Sequence, residues 1–153
     1  MPTQTSYAER HSAGFAGQIA STIPNTLISV NVQEAAGIPF GAVVVKGTAD
    51  RDGIVPNANG ENNFLGIAVR EVSSRYTVAA DADKFPQYTE ARLITKGDVW
   101  VVAGENVVAQ EAVFFTEATG AIKGGTPSTN ETAINAKWLD TTSSGQLGRI
   151  RLV

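Results

Sequence analysis

The residues equipped for chemistry are few. His11 is the one histidine of the 153-residue chain and cysteine is absent, so no disulfide framework and no thiolate metal site can be assembled. His11 lies in a segment without apolar periodicity, where a Ser-His-Asp arrangement would lack a rigid scaffold; it is read as a surface or contact residue. The close carboxylate pairs are Asp50 with Asp52 and Asp81 with Asp83. A calcium loop of the helix-flanked type wants oxygen ligands at alternate positions and glycine in sixth place, whereas Gly53 comes fourth counting from Asp50. No metal is expected at either pair. Gly120 to Gly125 is glycine-rich but lacks the spacing and the following helix of a phosphate cradle, and it is predicted to be a turn. Asn130-Glu131-Thr132 fits a glycosylation pattern that carries no information without a secretory signal. No catalytic residue and no cofactor follow from these groups.

The elements that would have to position any site are strands. Valine, isoleucine and threonine fill 41 positions, leucine and methionine only 7; branching at Cβ crowds a helix turn but packs well on a pleated surface. Strands are predicted at Leu27 to Val32, Phe40 to Val45, Phe64 to Val69, Ala91 to Thr95, Val99 to Ala103, Val107-Val108, Ala112 to Phe115, Ala136 to Leu139 and Gly148 to Val153. In the last of these, Ile150 and Leu152 share one face and Arg149 and Arg151 the other. The Val99 to Ala103 run is apolar on both alternate sets, so both its faces should be covered. The fold class is therefore all-β: a small barrel or sandwich of short antiparallel strands spanning 27–153, preceded by an extended N-terminal arm over 1–26. The arm holds scattered apolar groups, Tyr7, Phe15, Ile19 and Ile23, too few to offset their own ordering. It is expected to be mobile when free and ordered by a partner, the alternative being an ordinary frayed terminus. Ser73 to Thr89 reads as a long excursion of the functional or contact-making kind.

Charge bounds the partners. With 12 Lys and Arg against 15 Asp and Glu, the net charge is −3, which argues against nucleic acid as a partner. No apolar stretch is long enough to cross a bilayer and no basic-then-apolar leader opens the chain, so membrane association is not expected and the product should stay in the compartment that makes it. Charged residues make up 18%, against roughly 25% in a typical soluble domain; that depletion suits a surface occupied by protein partners, or a neutral β-protein with none. Val99, Trp100, Val101, Phe114, Phe115 and Trp138 are the residues predicted to lie in the core or at a subunit interface.

GFAGQIA (Gly14 to Ala20), GIPFGAVVVKGT (Gly37 to Thr48), NFLGIAVRE (Asn63 to Glu71), KGDVWVVAGENVVAQEAVFF (Lys96 to Phe115) and AKWLDTTSSGQLGRIRLV (Ala136 to Val153) follow one another in order. As an ordered set they resemble the structural cement proteins of tailed bacteriophages, the capsid decoration family. The resemblance implies a non-enzymatic protein made in the host cytoplasm that joins the outer capsid surface of the virion. There it would bind the expanded head and stabilise it by bridging neighbouring major capsid subunits. It also implies self-association, as a homotrimer or, in some cement proteins, a dimer. On this reading Thr3, Thr5, Tyr7, Phe15, Gln18 and Ile19 belong to the capsid-binding arm, and an arm of this kind can add a strand to a neighbour's sheet edge. Two other classes stay open: a trimeric β-barrel enzyme acting on a small molecule, and a glycan- or receptor-binding module using exposed aromatic platforms.

Overall fold

The computed structural model describes residues 14–58, 62–71 and 82–153. The described residues are all β, without a helix. Strands β1 (Thr26–Val32), β3 (Val43–Lys46), β4 (Asp52–Ile54), β5 (Phe64–Ala68) and β7 (Glu90–Val102) hydrogen-bond in the order β1-β4-β3-β5-β7, and β7 returns to β1. This closes a five-stranded barrel. Every pairing in it is antiparallel except β1 with β4, which run parallel with Asn31 opposite Asp52. Gly53 makes that junction possible: a Cβ there would lie 2.8 Å from Val30 Cγ2 and 2.9 Å from Val44 Cγ1, so only glycine fits between the two walls. Val30, Val32, Val44, Ala68, Ala91 and Leu93 fill the interior, together with Ile38, Phe40 and Phe85. A small ribbon of β2 (Ile38–Pro39) and β6 (Lys84–Phe85) brings Ile38 and Phe85 to that position.

The second half of the chain extends the sheet from β7 through β11 (Leu147–Leu152), β10 (Glu131–Trp138) and β8 (Ala112–Thr116) to β9 (Ile122–Gly124). Its far edge returns to the end of β7, where Ala103 and Ile122 form a parallel bridge and the Gly104 N–H donates to the Ile122 carbonyl at 2.7 Å. Thus β7 serves both halves, and it changes phase to do so. Ala91 and Leu93 point into the barrel, while Val99 and Val101 point into a second core with Val113, Phe115, Ile134, Trp138, Ile150 and Leu152. The phase slips at Thr95, the extra residue between the pairs Leu27–Ile94 and Thr26–Lys96; two residues on, Gly97 takes a φ of 123° that is open to glycine and strained for other residues. Val43, Val45, Ile67 and Ile94, on the outer wall of the barrel, complete that second core.

Several local expectations change. Ala91 to Thr95 and Val99 to Ala103 fall on one continuous thirteen-residue strand that ends at Val102, because the bulge at Thr95 shifts the ladder by one residue and keeps it running. Val107-Val108 is reduced to a single bridge between Val107 and Thr142. The Gly120 to Gly125 segment holds β9 after its turn: Lys123 and Gly124 lie opposite Phe114 and Val113. The Val99 to Ala103 run is not fully covered on both faces. Val99, Val101 and Ala103 are buried, but Trp100 is half-buried and Val102 is 45% exposed. Within the 73–89 excursion, residues 73–81 lie outside the described residues; 82–89 form β6 and a tight turn.

Candidate functional site

The described part of the N-terminal segment lies along the barrel rather than free of it. Ile19 forms an antiparallel bridge with Val99, the Gly17 N–H donates to the Trp100 carbonyl at 2.8 Å, and the Trp100 N–H donates to the Gln18 carbonyl at 2.9 Å. The Ala20 N–H adds a bond to the Asp98 carbonyl at 2.8 Å. The segment covers the edge of β7 opposite β11, for a backbone reason: that edge would otherwise leave its N–H and C=O groups unpaired. Gly17 crosses Gly41 with almost no clearance. A Cβ on Gly17 would meet the Ala68 carbonyl oxygen at 2.7 Å and the Gly41 nitrogen at 2.8 Å, and φ is positive at both glycines.

From this root an aromatic stack runs from the surface inward. Phe15 is 64% exposed. The Arg70 guanidinium lies 5.0 Å from its ring centroid and 5.4 Å from that of Phe40, a cation held between two π faces. Phe40 meets the fully buried Phe85 edge-on at 5.1 Å, and Asp83 Oδ1 receives Arg70 Nη2 at 2.6 Å. Phe15 is therefore presented to solvent on a stack rooted in the barrel core. Nearby, Pro86 to Thr89 form a turn tied to the end of β1 by Tyr88 N–H to Val32 O at 2.9 Å and Val32 N–H to Thr89 O at 2.9 Å. Tyr88 at its tip is 79% exposed and has φ of 63°, a left-handed conformation that costs a non-glycine residue about 1–2 kcal/mol.

Polar chemistry in the described residues is largely spent internally. Asp98, 2% exposed, receives both Arg151 Nε at 2.7 Å and Nη2 at 2.9 Å; this bidentate bond holds its carboxyl below the usual carboxylate range despite opposing burial. Asp140 is likewise lowered by its bonds from Arg149, which also lies 5.6 Å from the Trp100 ring. Lys123 pairs with Glu131 at 3.0 Å. Of the aspartates weighed as metal ligands, Asp50 pairs with Lys46, Asp52 accepts from Asn31, and Asp83 holds Arg70; Asp81 lies outside the described residues. No cluster of three or more His, Cys, Asp or Glu suited to a metal occurs among the described residues. The arrangement can bind through aromatic and backbone groups, and its hydroxyl–carboxylate contacts, Ser128 with Glu131 and Thr132 with Glu117, each at 2.8 Å, tie the β10 end together.

The structure places the predicted site residues as follows. Thr3, Thr5, Tyr7 and His11 lie outside the described residues; Phe15, Gln18 and Ile19 form the root just described. Val99, Val101, Phe114, Phe115 and Trp138 are buried, with the Trp138 indole N–H donating to the Lys123 carbonyl at 3.1 Å. Trp100 stands apart, half-buried on the opposite face. Arg70, Tyr88 and Asp98 were not singled out from the sequence. Asp98 had a signal: an acidic residue opening an apolar strand, with arginines alternating on the closing strand that lies opposite it.

The Phage_cement family, described as structural cement protein (E217 gp24/Pam3 gp6), matches residues 3–153. No curated protein matches the sequence. Among solved structures, the chain is similar to one in the capsid of Myoviridae phage XM1, with TM-score 0.70 and 16% identity over 99% of this chain and 98% of that one. It is also similar to the head fiber gp8.5 N base of bacteriophage phi29, with TM-score 0.52 and 10% identity over 85% and 95% of the two chains. At these identities the two structures share the fold; the family match, running through the arm root and both halves of the sheet, carries the relationship itself. The chain belongs to the structural cement protein family.

Proposed function

We propose that this protein adds to the outer surface of the expanded phage head and bridges neighbouring major capsid subunits, the arm supplying one of its contacts. Family membership makes it a structural component associated with the capsid; position, bridging and self-association as a homotrimer or dimer are the reading offered here. The observation that carries it is the arm root. Residues 17–20 are bonded to β7 and Phe15 is held exposed on the Arg70 stack, so residues 1–13 start from a fixed point on a rigid barrel. An arm anchored in this way reaches a neighbouring subunit at a high effective concentration, and self-association multiplies the gain.

The test is deletion of residues 1–13 from the full chain, followed by co-sedimentation with undecorated expanded heads. The truncated protein should keep the wild-type melting temperature, since every bond of the root is retained, and bind at least tenfold more weakly. Equal binding would remove the arm from the contact.

A further inference from the structure

Phe15 is held by Arg70, but the residue before it has a seat of its own. Gly14 is the first described residue of the arm, and its backbone lies against the edge of the Trp100 indole. A Cβ on Gly14 would come within 2.7 Å of Trp100 Cδ1 and Nε1 and of Gln18 Oε1. Gln18 Oε1 in turn accepts the Phe15 N–H at 3.0 Å, and the Gln18 N–H donates to the Phe15 carbonyl at 3.0 Å. The turn is closed from both ends. A side chain at position 14 has no room beside it, so glycine is what lets the chain pass between amide and ring.

Trp100 is the outward residue of β7 at this point, half-buried while Val99 and Val101 face the core. Its ring is backed from the neighbouring strand. Arg149 lies directly opposite it on β11, with its guanidinium 5.6 Å from the ring centroid. Asp140 grips that guanidinium as a fork, Nε to Oδ2 at 2.9 Å and Nη2 to Oδ1 at 2.6 Å, and also accepts the Arg149 backbone N–H at 3.0 Å. A bidentate carboxylate fixes the plane of a guanidinium, and a fixed cation over an indole restrains the ring in turn. None of the three side chains belongs to either core. The row from Asp140 through Arg149 to Trp100 ends on Gly14, at the start of the arm.

We infer that Trp100, backed by Arg149 and Asp140, is a positioning residue for the arm: it fixes the direction in which the chain leaves Gly14. Fixing the start of a binding segment cuts the ordering cost of the complex and raises the effective concentration of the rest at its target. The consequence for heads rests on the arm reading proposed above. The seat itself is a property of the free protein, so the two can fail separately.

NMR relaxation of the backbone amides in the full-length protein tests the seat without heads. Gly14 and Phe15 should give order parameters of about 0.85, as rigid strands do, falling below about 0.6 in Trp100→Ala and in Arg149→Met. The amides of Gly17 and Ala20 should stay ordered in both variants, because their bonds to the β7 backbone are kept. Low order at Gly14 in the wild type, or order that survives either substitution, overturns the proposal. Co-sedimentation with undecorated expanded heads tests the consequence. Trp100→Ala, Arg149→Met and Gly14→Ala should each weaken binding about fivefold, and none should weaken it further once residues 1–13 are deleted. A merely structural role would lower binding equally in both backgrounds. That result, or wild-type binding by the variants where the deletion binds weakly, overturns the positioning role. A 1–13 deletion that binds like wild type removes the arm reading instead, and the relaxation data alone then decide the seat.

Discussion

Tyr88 shows how much one residue can hold against its own preference. Its φ of 63° and 79% exposure mean that the turn keeps a large ring in solvent while bearing left-handed strain. Strain of this sort persists where surrounding bonds over-determine it and often marks a contact site. Tyr88→Gly should therefore raise stability by about 1 kcal/mol in chemical denaturation while weakening binding to heads; an unchanged or lower midpoint would show that the turn bears no strain. Trp138 is the opposite case, a fully buried ring with its N–H satisfied. Its replacement by Ala should cost about 3–5 kcal/mol, whereas Trp100→Ala, on a half-covered face, should cost clearly less. The sequence did not separate these two tryptophans, because Trp100 sits in an unbroken apolar run and its exposure depends on which strand crosses outside it. Asp98 and Asp140 contribute to the response to acid. Both are lowered in the folded state by arginine partners, so their contribution is complete above the unfolded carboxylate range, near pH 4, and is lost as pH falls through the lower folded values. Thermal unfolding followed from pH 6 to pH 2 should show that loss, and Asp98→Asn should flatten it.

At the scale of elements, strand alternation was legible where one face is wet. The closing strand, with Ile150 and Leu152 inward and arginines outward, lies in the structure as read. The continuity of β7 was not legible, since Lys96-Gly97 looks like a break in sequence while the ladder runs through it, shifted by one residue at Thr95. Strand β9 was hidden by glycines that read as a turn, and barrel closure rests on a parallel β1–β4 contact between residues 21 apart, about which local pattern is silent. The root of the arm was misjudged for a related reason: Gly14 to Ala20 has no period because it pairs through backbone at one short edge and crosses Gly41 closely. Deleting residues 1–20 should consequently lower stability by about 2–4 kcal/mol, from several backbone bonds and the packing of Ile19, unlike deletion of 1–13. Urea melts of the two truncations compare them directly. Equal stability would mean that the 17–20 ladder contributes nothing.

For the molecule as a whole, the two halves of the sheet are welded through one thirteen-residue strand and a core that takes the outer wall of the barrel as its floor. The bridging proposed above calls for a body of this kind, in which both halves share one core. Its low charge is consistent with a structural role in the capsid. The most direct test is electron cryo-microscopy of undecorated expanded heads mixed with the full-length protein. The expected result is density for the β-domain on the outer surface in contact with at least two major capsid subunits at each site. Density resting on a single subunit, on the inner surface, or absent at saturating protein would contradict the bridging account.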